Sequence, residues 1–182
     1  MYRTILIALI LLTPLLSLGQ IRAVPHSQTL KPSSTPKLFR PLLAQIKRNT
    51  KIPILLPSML PSKWKNYRLF SYSESEPNLW KIVVGTEPDC GANACSVGYL
   101  EAKRGEEPPK PDEVDIVVKL AKGMKGYYTG KSCGGSCTPP QIDWVYGGVL
   151  YTIQFRVEGK SQQSDAAVIV EMANSAILAG AR

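Results

Sequence analysis

Apolar and polar positions follow three different rhythms along residues 39–182. From Phe39 the spacing is helical: Pro41 suits a first helical position, and Leu42, Leu43 and Ile46 share one side of a short helix that ends near Asn49. The next stretch, Ile52-Pro53-Ile54-Leu55-Leu56-Pro57-Ser58-Met59-Leu60-Pro61, places a proline at every fourth residue. Neither a helix nor a central strand tolerates that spacing, because each proline removes a backbone donor and fixes φ, so the segment is expected to run extended over the core.

Beyond Lys63 the rhythm changes to that of strands. Tyr67 to Ser73 alternates, and Leu79 to Gly85 is rich in β-branched residues after the turn Glu76-Pro77-Asn78. Ser96 to Lys103, Val114 to Leu120 and Lys125 to Lys131 are further candidates, and Gly105 to Pro111 reads as a charged surface loop. Gln141 to Tyr146 and Val149 to Val157 form a hairpin about Gly147-Gly148, since both positions of a tight two-residue turn accept positive φ when they are glycine. The last element returns to helical spacing. Ser161 caps a helix whose Ala166, Ile169, Val170, Ala173 and Ile177 form one narrow apolar stripe, and Gly180 ends it. The expected fold is α+β: an antiparallel sheet of about six strands, a C-terminal helix packed on one face and a short N-terminal helix.

The first 38 residues follow none of these rhythms. Arg3 precedes an uncharged apolar run from Ile5 to Leu18, closed by Ser17-Leu18-Gly19-Gln20, which has the three regions of a secretory signal peptide. The run is shorter than the roughly 20 apolar residues a spanning helix needs, so residues 1–19 are expected to be removed, with cleavage after Gly19 or alternatively after Ala23. Residues 20–38 hold Pro25, Pro32 and Pro36 in a Ser/Thr/Gln background with few large apolar groups, the composition of a flexible tail. A single domain over 39–182 completes the organisation. Export places the protein in the periplasm or outside the cell.

Charge sharpens this division. The 182 residues include 22 Lys or Arg and 14 Asp or Glu, for a formal net charge of +8. Residues 20–50 contain Arg22, Lys31, Lys37, Arg40, Lys47 and Arg48 and no acid, whereas the remainder of the domain is nearly neutral. Total charge is therefore no argument for nucleic acid as a partner. The basic segment is expected to make at most a weak, salt-sensitive contact with anionic envelope polymers.

Four cysteines occur in two small-residue turns, Cys90 with Cys95 and Cys133 with Cys137. In an oxidising compartment they most economically form two disulfides, and the local pairs Cys90–Cys95 and Cys133–Cys137 each staple one inter-strand loop; crossed pairings require the two loops to be neighbours. The spacing also formally permits a four-thiolate zinc cage, which export disfavours. No metal and no cofactor is expected. Neither pair is a C-x-x-C redox motif.

Catalytic constellations are scarce. His26 is the only histidine and falls in the tail, which removes Ser-His-Asp, Cys-His and HExxH chemistry. Gly130-Lys131-Ser132 imitates the end of a phosphate-binding loop, but the position of its first glycine is Lys125. Carboxylates remain: Glu74/Glu76, Glu106/Glu107 and Asp112/Glu113/Asp115 fall in or beside turns, and Asp143 is expected to be a strand-edge acid pointing to water. Among the aromatics, Trp144, Tyr127 and Tyr146 are candidate ligand-facing residues, while for Trp80, Trp144 and Tyr151 a core or sheet-face role is the favoured expectation. On a strand Tyr127 and Tyr128 point to opposite faces, so at most one is buried beneath the helix.

The hairpin Ile142-Asp143-Trp144 through Gly148, Tyr151 and Ile153, followed by a helix containing Met172-Ala173-Asn174-Ser175, resembles the tail of exported bacterial domains of unknown function related to the sensor-type DUF4367 domains. The Leu-Pro steps of Ile52–Pro61 and the turn Cys90-Gly91-Ala92-Asn93-Ala94-Cys95 resemble uncharacterised exported proteins of cyanobacteria. The resemblance implies an exported α+β domain and transfers no catalytic residue. The expectation is an exported, non-enzymatic domain that binds a cell-envelope ligand or partner. The alternatives are a carboxylate-dependent hydrolase of envelope polysaccharide and an inhibitor presenting a disulfide-braced loop.

Overall fold

Seven strands, each built on one of the alternating segments, form a single antiparallel sheet in a computed structural model that describes residues 35–159 and 161–182. The expected signal peptide, the expected tail as far as residue 34, and His26 lie outside the described residues. The strands are β1 (Phe70–Glu76), β2 (Leu79–Gly85), β3 (Ser96–Arg104), β4 (Ile116–Lys119), β5 (Lys125–Thr129), β8 (Gln141–Tyr146) and β9 (Val149–Phe155). Between β5 and β8 a separate two-stranded ribbon, β6 (Ser132–Cys133) with β7 (Cys137–Thr138), stands off the sheet. The helices are α1 (Leu43–Asn49), entered through a 3₁₀ turn at Arg40–Leu42, and α2 (Gln162–Ala179).

The sheet order is β1-β2-β3-β9-β8-β5-β4. All seven strand segments read from the sequence enter it, in keeping with the expected antiparallel sheet. Two meanders, β1 to β3 and β4 to β9, meet along the β3–β9 ladder, where Leu100 opposes Ile153 and Ala102 opposes Tyr151. Gly147 and Gly148 adopt φ of 60° and 72°, so the β8–β9 hairpin closes on the tight turn that its two glycines permit.

Strand alternation sends one set of side chains inward: Trp80, Ile82 and Val84 from β2, Leu100 and Ala102 from β3, Tyr151, Ile153 and Phe155 from β9, Ile142 and Trp144 from β8, and Tyr128 from β5. Helix α2 covers this face with Ile169, Met172, Ala173, Ala176 and Ile177. The expected stripe omitted Met172 and Ala176, and Val170 lies at its half-buried margin. Ser161 caps α2 by accepting from Ser164 N at 3.3 Å, and Gly180 ends it with φ 74°. Asn174 and Ser175 anchor the helix, because Asn174 Oδ1 accepts from Ala121 N at 2.7 Å and Ser175 Oγ accepts from Ser58 N at 3.2 Å.

The proline-punctuated segment lies across the same face as expected. Ile52, Ile54, Leu55 and Leu56 are buried, Leu55 bridges Ala181, and Pro53 O accepts from Tyr151 Oη at 2.9 Å. Packing reaches back beyond residue 39. Thr35 is buried, its carbonyl accepts from Arg40 Nε at 2.9 Å, and Leu38 O accepts from Ser71 Oγ at 2.9 Å. Strand β1 starts at Phe70 rather than Tyr67, because the chain first makes a 3₁₀ turn at Ser62–Asn66 that buries Trp64 and lets its indole N–H donate to Arg156 O at 2.6 Å. Tyr67 is left 55% exposed against the edge of that indole.

Candidate functional site

Both cysteine pairs close locally, Cys90–Cys95 in the β2–β3 connection and Cys133–Cys137 across the β6–β7 ribbon, so the thiolate zinc cage is excluded. Among the described residues no group of three or more acids, histidines and cysteines is placed to hold a metal ion, and no helix is long and apolar enough to cross a membrane.

The three ligand-facing candidates do not converge. Trp144 is 1% exposed and stacks on Tyr151 with ring centroids 5.4 Å apart, so it belongs to the core. Tyr127 lies in one cross-strand row with Asp143 and Thr152 on the opposite, polar face, whereas Tyr146 shares the inward parity of Trp144 but protrudes at the hairpin end. The Tyr127/Tyr128 alternation holds: Tyr128 is fully buried and Tyr127 half-buried on the other side.

Asp143 corrects a second expectation. It is 3% exposed, because β8 lies between β9 and β5 rather than at an edge. Its carboxylate accepts from Gln141 Nε2 at 2.8 Å and from Thr152 Oγ1 at 2.5 Å. One strand beyond Thr152 stands Glu101, held by Lys103 at 3.2 Å and Lys81 at 3.6 Å. Burial raises the Asp143 pKa above its ordinary 3.8; the two hydrogen bonds oppose the rise, and the charge of Glu101 adds to it. The folded state thus holds this proton more tightly than the unfolded chain. The resulting stability is complete below pH 3.8 and is lost as pH rises through Asp143's own higher value. Asp143→Asn, which cannot ionise, is expected to gain stability relative to the native protein as pH rises through that window. Urea midpoints measured from pH 4 to 7 test this; a constant difference between the two proteins would refute it.

A cleft of about 780 Å³ is assembled elsewhere, from the end of β5, the disulfide ribbon, the start of β4 and the N-terminus of α2. Asp115 is its organising residue: Oδ2 accepts from Gly130 N at 2.6 Å and from Gln162 Nε2 at 3.1 Å. Across the cleft Asp165 accepts from Gly159 N at 2.6 Å. Gly130 lets these groups approach closely: a Cβ there would lie 2.7 Å from Gln162 Nε2 and 2.9 Å from Asp115 Oδ2, so both side-chain ends would have to shift. Thr129, Lys131, Ser132 and Ser161 add further polar groups. Near this floor, burial and the charges of Asp165 and Asp115 push the Tyr128 hydroxyl up to about 12. Residues 131–138 of the ribbon are all exposed, so the disulfide braces a projecting wall.

Glu74 and Glu76 are exposed on β1 and Glu106 pairs with Lys103, so of the carboxylate clusters only Asp115 lines the cleft. Searched against protein families, curated proteins and solved structures, the chain matches none.

Proposed function

We propose that the protein is an exported, non-enzymatic binding domain that engages a polar component of the cell envelope in the cleft between the disulfide ribbon and α2. The observation that carries this reading is the preorganisation of the cleft. Asp115 joins three chain segments by hydrogen bonds, and the Cys133–Cys137 bridge fixes the ribbon beside them, so ligand contacts would require little ordering of the protein. The leader-like N-terminus, the two disulfides and the resemblance of the hairpin–helix tail to exported bacterial domains support the location.

A second reading, the carboxylate-dependent hydrolase, draws on the presence of both Asp115 and Asp165 in the same cleft. One experiment separates the two. The purified protein should bind saturably to envelope material from the cells that make it, and Ser132→Trp, which fills the cleft from an exposed position, should reduce retention several-fold. Equal retention of the variant would overturn the cleft as the binding site. Release of new reducing ends, abolished in Asp165→Asn, would establish the hydrolase instead.

A further inference from the structure

At the opposite end of the sheet, four cations share one pocket of about 520 Å³: Lys47, Arg48, Lys51 and Arg104. They come from the last turn of α1, the residue pair after it and the end of β3, and Asn49 and Asn78 add amide groups to the lining. The arrangement is held by the backbone. Thr50, 8% exposed, donates to Pro77 O at 3.1 Å and accepts from Ile52 N at 3.1 Å. Asn49 Nδ2 donates to Ser75 Oγ at 3.1 Å, and Arg104 N donates to Asn78 O at 3.0 Å, which ties the β1–β2 turn to the end of β3.

The pocket lining contains no carboxylate, and among the described residues none of the four cations is ion-paired. Glu106, the acid closest to Arg104 in sequence, is held by Lys103 at 3.6 Å. Favourable interaction with the α1 dipole accounts for Lys47 and Arg48 in its last turn. It does not account for Lys51 beyond the helix, or for Arg104, which arrives from a strand more than fifty residues later. Like charges gathered without a counter-ion repel one another, so the cluster costs stability that a bound anion would recover.

We propose that this pocket is an anion site for phosphoryl groups. Two guanidinium forks suit paired phosphate oxygens, and two ammonium groups add charge without directional demand. The ligand is either free phosphate or a phosphate-bearing envelope polymer. This site is independent of the ribbon cleft: it uses different strands and rests on different observations.

Calorimetric titration of the purified protein with inorganic phosphate, pyrophosphate and long-chain polyphosphate tests the proposal. Polyphosphate binding is expected, with Arg48→Gln/Arg104→Gln weakening it roughly tenfold or more and lowering the salt slope by about two. Lys47→Gln/Lys51→Gln should act in the same direction. Lys65→Gln/Lys125→Gln removes two exposed cations outside the pocket and should change affinity less than about twofold. Equal binding of phosphate and polyphosphate per site identifies the free ion as ligand, and tighter polymer binding identifies the polymer. Equal losses in pocket and control variants, or no binding of any probe at low salt, would overturn the site.

Discussion

Gly98→Ala is expected to destabilise the protein by about 3 kcal/mol, the upper range for forcing atoms into a packed interior. Gly98 sits in the middle of the sheet, opposite Val84 on β2 and Phe155 on β9. A Cβ there would lie 2.2 Å from Gln154 O and 2.8 Å from Phe155 Cα, both backbone atoms that no rotamer change can move. Accommodation therefore requires β3 and β9 to separate along their shared ladder. Gly135→Ala supplies the comparison, since a Cβ at Gly135 meets nothing within 4 Å. Urea denaturation should show a large fall in midpoint for the first variant and little change for the second. A Gly98→Ala protein within about 0.5 kcal/mol of the native one would show that the strands are not so closely joined.

Tyr151→Ala should cost about 4 kcal/mol, while Tyr151→Phe should cost about 1 kcal/mol. Tyr151 is 1% exposed and stands between Trp80, whose centroid is 6.3 Å away edge-on, and Trp144, 5.4 Å away and stacked. Removing the ring leaves a cavity between two indoles that strand geometry prevents from approaching each other. Removing only the hydroxyl breaks the bond to Pro53 O and leaves that carbonyl without its partner under the 52–61 segment. The ratio of the two losses is the test. Similar losses would mean that Tyr151 acts through its hydroxyl, as a latch for the overlying segment, more than through its ring.

The elements legible in the sequence are those whose causes are local. Gly147-Gly148 closes a hairpin, Ser161 and Gly180 bound α2, and prolines at every fourth residue keep 52–61 extended. Less legible features depend on partners far along the chain. The alternation of β8 identifies Asp143 and Trp144 as facing opposite ways, but only the sheet order places β8 inside, buries both and raises the pKa of Asp143. The ribbon cleft collects Asp115, Gly130 and Gln162 from three separate segments. Its one local trace is a glycine beside Thr129, whose close approach to Gln162 depends on a residue more than thirty positions away. Likewise Lys47, Arg48 and Lys51 read as a basic run, and nothing in the sequence attaches Arg104 to them.

The placement of the two disulfides also bears on how the protein matures. Cys90–Cys95 lies wholly within the β1–β3 meander and Cys133–Cys137 wholly within the β4–β9 meander. Neither disulfide therefore crosses the β3–β9 seam that joins the two halves. Each bridge closes a loop of only a few residues within its own half, so neither fixes the register between the halves. The converse is a hazard: until residues 149–155 arrive, β3 is a free strand edge open to pairing with a second chain. Closing either disulfide thus places no demand on the β3–β9 pairing, and that pairing alone covers the β3 edge.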